Sequence, residues 1–261
     1  WRKFKVAMPY FGHASSPIRY GASLIVLAGG AMAFDLESGD LLWDNWDFEA
    51  SYASPRVVRV AGRDQIVAPV AGEILGLDPA SGKILWRQEH ANQYKTILSS
   101  PLVLDDDRVF VSSAWVGSRS LRLGGDAERG VTELWHNPKM QISYSNAVRV
   151  GDWIYASSGV EVDFLTSIHV ETGEIGWKQR GLAQTNLLRI GDRFLLLDED
   201  GQLVLATLTP EQAIIHHKVQ LFDSRSWTVP TLVGTRLYAR NEKKILALEL
   251  GKPEPVRTSA D

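Results

Sequence analysis

The sequence has 261 residues, 44% of them hydrophobic, with no cysteine and a formal net charge of −3 at pH 7. The lack of cysteine excludes disulfide bonds, thiolate metal sites, covalent c-type haem attachment and a cysteine nucleophile. Lysine and arginine are dispersed among acidic residues in no run longer than two, and no apolar run approaches the roughly 18 residues of a membrane-spanning helix. The sequence therefore predicts neither a nucleic-acid-binding surface nor a transmembrane segment.

A repeat of about forty residues runs through the chain, and most of its copies end in tryptophan. The segments 33–43, 76–86 and 167–177 align without gaps, and a looser copy ends at Trp135. The terminal residues, in chain order, are Trp1, Trp43, Trp86, Trp135 and Trp177. They are separated by 42, 43, 49 and 42 positions, and another 40 positions lead to His217 in a decayed copy.

Each unit has a second recurring position, a Ser-Pro pair or the two residues equivalent to it, some thirty residues before the end of the unit. We call it the second repeat landmark. Its occurrences begin at Ser16, Ser54, Ser100, Asn146, Asn186 and Val229. The chain therefore contains six units.

Each unit consists of short β runs separated by turn residues. In the second unit the pattern predicts strands at 56–60, 65–70, 74–77 and 83–87. Four-stranded meanders repeated at this period predict an all-β fold, a β-propeller of four-stranded antiparallel blades. The predicted blades lie near 15–46, 53–90, 99–137, 145–180, 186–219 and 228–250, the last with three strands. They form one domain, 1–250, with a partial blade at 1–6 and a flexible C-terminal tail at 251–261.

The recurring Asp-x-x-Ser/Thr-Gly segment is typical of a tight turn before an outermost strand that carries the tryptophan. The ring is predicted to cover the neighbouring blade, contributing about 2–3 kcal/mol of apolar burial per blade. The residues assigned to this docking between blades are Ala33, Gly39, Trp43, Gly82, Trp86, Trp135, Gly173 and Trp177. His169 replaces the motif Asp, 206–210 has lost Gly and Trp, and 124–130 is an insertion. Blades 3 and 5 are therefore predicted to be irregular at these points.

The spacing A-x-D-x-x-[S/T]-G-x-x-x-W, matched in full by 33–43, resembles the tryptophan-docking motif of pyrroloquinoline-quinone-like propellers. The chain resembles the BamB-type branch of that family. This resemblance implies a non-catalytic interaction or scaffold module of the periplasm or bacterial cell envelope, with a protein or peptide partner and no cofactor.

Two other functions remain open from the sequence. Some members of the family are quinone-dependent oxidoreductases, in which an adjacent-cysteine disulfide stacks on the quinone and Glu, Asn and Asp ligate calcium. No cysteine is present here for that role. The nine tryptophans would also suit a carbohydrate-binding propeller, although blade docking explains most of them.

The ends of the repeat array allow two interpretations. In one, 1–6 pairs with 245–250 and completes the last blade of a six-bladed ring. In the other, which we favour, the chain is an N-terminally truncated member of a family whose proteins usually have eight blades.

Motif searches give no catalytic or metal-binding residue. The segment 76–83 has the wrong glycine spacing for a phosphate loop and no following helix. The acidic segments 105–107 and 198–201 fit turns, because neither is followed by the distal carboxylate of a calcium loop. His216 and His217 would point to opposite faces of a strand and could not share one metal ion.

The functional face is predicted from blade geometry. The loops that enter each blade and those between its second and third strands lie at one end, and they carry aromatic and arginine side chains typical of binding hot spots. The candidate partner-binding residues are Trp46, Tyr52, Tyr94, Lys95, Trp115, Arg119, Met140, Tyr144, Asp163, Arg180, Arg225, Trp227 and Arg240, with Asp47 beside them.

Overall fold

The computed structural model describes residue 6 and residues 9–124 and 130–251, which form 23 β-strands and no α-helix. Within these ranges, no helix has the length and apolar character needed to cross a membrane. The strands form six separate antiparallel sheets, here called blades 1 to 6. The predicted all-β class with blade-like sheets is confirmed. Residues 1–5, on which the proposed pairing with 245–250 depends, the insertion residues 125–129 and the tail from 252 onward lie outside the described residues.

The strands follow one another in chain order. Blade 1 contains β1 (Ile18–Tyr20), β2 (Ser23–Ala28), β3 (Gly30–Asp35) and β4 (Leu41–Asn45). Blade 2 contains β5 (Arg56–Val60), β6 (Arg63–Val70), β7 (Glu73–Leu77) and β8 (Ile84–Glu89). Blade 3 contains β9 (Leu102–Asp105), β10 (Arg108–Ser113), β11 (Gly117–Leu123) and β12 (Val131–Asn137).

The second half of the chain repeats the arrangement. Blade 4 contains β13 (Ala147–Val150), β14 (Trp153–Ser158), β15 (Phe164–His169) and β16 (Ile175–Gln179). Blade 5 contains β17 (Thr185–Ile190), β18 (Arg193–Asp198), β19 (Gln202–Leu208) and β20 (Ala213–Gln220). Blade 6 contains the three strands β21 (Thr231–Val233), β22 (Arg236–Arg240) and β23 (Ile245–Glu249).

The hydrophobic core lies between the blades. In β6, Ile66 packs in the cluster shared with blade 1, and the next residue, Val67, packs in the cluster shared with blade 3. Alternate residues of a strand point to opposite faces, so both faces of this strand are apolar. Three further clusters join blades 3 and 4, blades 4 and 5, and blades 5 and 6. Among the described residues, no core cluster joins blade 6 to blade 1.

A β-bulge recurs between the third and fourth strands of blades 1 to 5. In blade 5 it falls between Leu205 and Ala206, and Leu205 is paired with His217. Trp43 occupies the same register position in blade 1, opposite Ala33. Blade 5 therefore keeps the ladder of the other blades, and the irregularity predicted there is confined to its turn, where the Thr209 N–H donates to the Gln212 carbonyl oxygen over 2.9 Å.

Two tryptophans dock on the motif glycine of the following blade. The Trp43 indole N–H donates to the Pro79 carbonyl oxygen over 3.1 Å, and a Cβ on Gly82 would lie 2.4 Å from the Trp43 ring. Trp135 makes the same contact with Gly173, where a Cβ would lie 2.5 Å from the ring. Both glycines have φ near +70°. Glycine is required at these positions by backbone conformation and by space.

Trp86 docks differently. Its indole N–H donates to Gln65 Oε1 over 2.8 Å, and Gln65 Nε2 donates to the Gly124 carbonyl oxygen of blade 3 over 2.6 Å. In the sequence of blade 3 the insertion occupies the position of the motif turn, and at this junction Gln65 links the two blades. Trp86 is buried, whereas Trp43, Trp135 and Trp177 are only half-buried. The Trp177 indole N–H donates to the Thr209 carbonyl oxygen of blade 5 over 3.0 Å.

The second repeat landmark also links consecutive blades. Ser54 Oγ accepts from the Ser16 N–H over 2.9 Å. Asn146 accepts from the Leu187 N–H over 2.8 Å and donates to the Leu187 carbonyl oxygen over 2.9 Å. Asn186 Oδ1, one unit later, is buried and has no partner among the described residues. The equivalent of Leu187 in blade 6 is Pro230, which has no N–H to donate.

Candidate partner-binding face

One end of the blades carries the linkers between blades and the turns between second and third strands. Backbone hydrogen bonds join these two sets of loops: the Ala71 N–H donates to the Glu49 carbonyl oxygen over 2.8 Å, and the Gly159 N–H to the Gln141 carbonyl oxygen over 2.9 Å. We call this end the linker face. The opposite end, which carries the Asp-x-x-Ser/Thr-Gly turns, is the turn face.

Most of the predicted site residues are accessible on the linker face. The exposed residues are Trp46, Asp47, Tyr94, Lys95, Trp115, Tyr144, Arg180, Arg225, Trp227 and Arg240, and Tyr52, Asp163 and Arg119 are partly buried. Met140 does not belong to the surface, because its side chain is fully buried in the core between blades 3 and 4. Arg119 lies within β11 and not in a loop.

Tyr94 and Trp115 form an exposed aromatic pair, with ring centroids 5.1 Å apart in an edge-to-face arrangement. Two of the three described non-glycine residues with positive φ belong to this site: Lys95 at 51° and Trp115 at 63°. The Trp115 N–H donates to Gln141 Oε1 over 3.1 Å, which fixes the loop. Sparsely populated backbone conformations tend to persist where a side chain must be held in place for binding.

Tyr144 and Trp227 form a second aromatic site. Their rings stack at 4.7 Å with an interplanar angle of 11°, which joins the linkers before blades 4 and 6. The Arg225 guanidinium lies 4.5 Å from the centroid of the Trp227 ring, and the Trp227 indole N–H donates to Glu199 Oε2 over 2.8 Å. The structure thus brings together three residues that the sequence assigned to the same face.

An acidic cavity of about 390 Å³ opens beside the second aromatic site. It is lined by Glu199, Asp200, Asp223, Ser224, Arg225 and Glu242. Arg225 pairs with Glu242 at 3.7 Å. Burial raises the pKa of the neighbouring Asp163, and the negative charges of Glu199 and Asp200 raise it further. This part of the linker face therefore has negative potential.

The linker face also carries a row of cations on blades 3 to 5. Of these, only Arg180 was predicted from the sequence as a site residue. The Lys178 ammonium donates to the Lys139 carbonyl oxygen over 3.0 Å, and the Lys218 ammonium donates to the Gly181 carbonyl oxygen over 3.1 Å. Lys178 and Lys218 each follow the last residue of a repeat, at positions after Trp177 and His217. Aligning the repeats at that position would have revealed them.

His90 is a buried group that the sequence did not single out. Its Nδ1 accepts from Arg119 Nε over 3.2 Å, and Arg119 also pairs with Glu133. Burial, and then the charge of Arg119, lower the pKa of His90 to about 3. His90 is therefore neutral at physiological pH and helps to position Arg119.

The acidic and histidine side chains that the sequence offers as possible metal ligands make local hydrogen bonds and ion pairs. Asp198 Oδ1 accepts from the Gln202 N–H over 2.8 Å, and Asp105 pairs with Arg108 at 2.6 Å. His216 Nε2 lies 2.8 Å from Thr207 Oγ1. Within the described parts of the chain, no three His, Asp or Glu side chains are grouped to hold a metal ion.

The architecture and its docking contacts define a class: repeated four-stranded blades, joined by tryptophan rings on turn glycines. A family model described as "Outer membrane protein assembly factor BamB" matches residues 12–179, and the chain belongs to this family of pyrroloquinoline-quinone-like repeat proteins. A search of curated proteins finds no match.

Solved structures show the same fold. BamB from Moraxella catarrhalis is similar over 87% of this chain and 79% of its own, with 19% identity and a TM-score of 0.51. The computationally designed Ika8 protein is similar over 90% of this chain and 70% of its own, with 12% identity and a TM-score of 0.61. A europium-containing methanol dehydrogenase is similar over 79% of this chain and 50% of its own, with 15% identity and a TM-score of 0.56.

Proposed function

We propose that the chain is a non-catalytic interaction module of the bacterial cell envelope that binds a protein or peptide partner on its linker face. The family supports a protein-interaction scaffold in general terms, and its description as an outer membrane assembly factor supports the envelope location. The observation that carries the choice of face is the pair Tyr94 and Trp115, which are 60% and 49% exposed.

Exposed aromatic rings held by a defined backbone are suited to recognition because they offer a large contact area and lose little side-chain entropy on binding. The Asn92 carboxamide oxygen accepts from the Tyr94 N–H over 2.9 Å and from the Thr96 N–H over 3.1 Å. The loop is therefore ordered by its own hydrogen bonds. The rings contribute little to the core, so their removal should affect binding more than folding.

The test is capture of envelope proteins of the source bacterium by the immobilised chain and by the variant Tyr94→Ala/Trp115→Ala. We expect the variant to lose at least tenfold in affinity for the captured partner while its melting temperature is unchanged. The matched control is Leu36→Ala/Leu42→Ala, which removes exposed apolar side chains from blade 1, close to the turn face. Equal capture by all three proteins would reject the linker face as the binding site.

A quinone-dependent oxidoreductase is the second candidate, and the likeness to the methanol dehydrogenase is the observation that favours it. The described residues do not assemble a set of carboxylates that fits calcium. Dye reduction after addition of calcium and pyrroloquinoline quinone tests it. Turnover above that of the heat-denatured protein would replace the scaffold proposal.

A further inference from the structure

Four cations lie along the linker face where blades 3, 4 and 5 follow one another: Lys139, Lys178, Arg180 and Lys218. We call them the cationic rim. All four are exposed, and none forms a salt bridge with a carboxylate of the described chain. Other cations of the described chain, such as Arg87, Arg108 and Arg119, do have an acidic partner.

The rim is held in place by other contacts. The Lys178 ammonium and the Arg180 guanidinium lie 5.5 and 5.1 Å from the centroid of the same Phe164 ring. Lys178 and Lys218 each donate to a carbonyl oxygen of the preceding linker, over 3.0 and 3.1 Å. Because ring and carbonyl contacts restrain these side chains without neutralising them, less entropy is lost when an anion pairs with them.

We propose that the cationic rim binds an extended acidic segment of the protein partner, with successive Asp or Glu side chains pairing along Lys139, Lys178, Arg180 and Lys218. This inference rests on the proposed function. The cations are distributed over the linker before blade 4, β16, the linker before blade 5 and β20, so we expect a single phosphate to reach only part of the rim. An extended peptide places side chains on one side about every 7 Å and can follow it.

The charges elsewhere on the same face favour a peptide over an anionic membrane. The acidic cavity lies at blades 5 and 6, where Glu199, Asp200, Asp223 and Glu242 line it, and Asp163 of blade 4 adds a further carboxyl near Glu199 and Asp200. A flat anionic bilayer would bring lipid phosphates against these carboxylates as well as against the rim. A narrow acidic segment can contact the rim alone, and repulsion from the acidic cavity would fix its position.

The experiment measures binding of a fluorescein-labelled hexaglutamate peptide by fluorescence anisotropy. We expect saturable binding that weakens when salt is raised, since exposed charges are screened. The variant Lys178→Glu/Arg180→Glu should weaken binding at least tenfold. The control Arg63→Glu/Lys83→Glu makes the same change in charge at exposed positions of the turn face and should bind as the parent does. Lys178→Met/Arg180→Gln keeps the packing over Phe164 and should also weaken binding, which separates loss of charge from misfolding.

No binding of hexaglutamate, or equal weakening in both charge-reversed variants, would overturn the proposal. So would binding to phosphatidylglycerol vesicles without binding to the peptide, which would make the rim a membrane site. The two proposals can fail independently: if Tyr94→Ala/Trp115→Ala loses the captured partner while hexaglutamate does not bind, the linker face stands and the rim assignment is wrong.

Discussion

The Trp43 ring of blade 1 lies against the backbone of Gly82 in blade 2, and its indole N–H donates to a carbonyl oxygen of the same turn. The motif glycine and the motif tryptophan of one contact thus belong to consecutive blades: Trp43 and Trp135 each cover the turn glycine that follows 39 and 38 positions later, Gly82 and Gly173. The repeat period therefore corresponds to the sequence separation between a tryptophan and the turn glycine that it contacts in the next blade.

Gly82→Ala tests this contact. The new methyl group would meet the Trp43 ring and would also occupy a backbone with φ of +70°. We expect a loss of about 2–4 kcal/mol in the free energy of unfolding, from the strain of positive φ plus overpacking. Gly62→Ala in the same blade has φ of +81° and no atom within 4 Å, so it isolates the backbone part, about 1–2 kcal/mol. Both variants are compared by urea denaturation. Equal losses of unfolding free energy in Gly82→Ala and Gly62→Ala would show that the contact with the Trp43 ring is not tight.

The Gln65 link between blades 2 and 3 predicts a second stability effect. Gln65→Met keeps the shape of the side chain but leaves the Trp86 indole N–H and the Gly124 carbonyl oxygen without their partner. Buried groups left unpaired cost about 1–3 kcal/mol. The exposed Gln93→Met is the control and should change the unfolding free energy by less than about 0.5 kcal/mol. A loss in Gln65→Met no larger than in the control would mean that the glutamine does not link the blades.

Asn146 and Asn186 occupy the same repeat position and should respond oppositely to the same substitution. Asn146→Leu removes two hydrogen bonds to the backbone of Leu187 and should cost about 1–3 kcal/mol. Asn186→Leu removes a buried oxygen that has no described partner, so we expect no loss or a small gain in stability. Thermal melts of the two variants, measured side by side, test this difference. Comparable destabilisation of both variants would contradict the expected opposite response.

His90 predicts a pH dependence of stability. Its pKa is about 3 in the folded chain and about 6.5 when unfolded, so the unfolded chain binds the extra proton between these values. The contribution of neutral His90 is present above pH 6.5 and is lost as pH falls toward 3, at up to about 1.4 kcal/mol per pH unit. His90→Gln should flatten the curve of unfolding free energy between pH 6 and 4, whereas His13→Gln, an exposed control, should not. Parallel curves for both variants would show that His90 is not the group responsible.

The period and the residue types were sufficient to predict the fold class, because four short strands per forty residues leave two apolar faces that only neighbouring blades cover. The strands of blade 2 were placed within one to two residues of their observed bounds. The hydrogen bond from Trp86 to Gln65 was not predictable, because the sequence of blade 3 carries the insertion 124–130 at the position of the motif turn. Met140 was misplaced because a linker between strands can still point an apolar side chain into the core.

The sequence predicted at which end of the blades the candidate residues lie, but not the contacts among them. Strand direction alone placed the aromatic loops at one end, but the stacking of Tyr144 on Trp227 joins linkers that are about eighty residues apart in sequence. The cationic rim depends on a register that puts Lys178 and Lys218 near the linker ends of β16 and β20. No single segment of the sequence shows that grouping.

Site-specific photo-crosslinking in intact bacteria tests the central claim most directly. A benzoylphenylalanine placed at Tyr94 or Tyr144 on the linker face, and at Glu37 or Lys83 on the turn face, reports which end contacts a protein partner. We predict a discrete crosslinked protein from the two linker-face positions and none from the two turn-face positions. Crosslinks from Glu37 or Lys83, with none from Tyr94 and Tyr144, would contradict the assignment of the binding face.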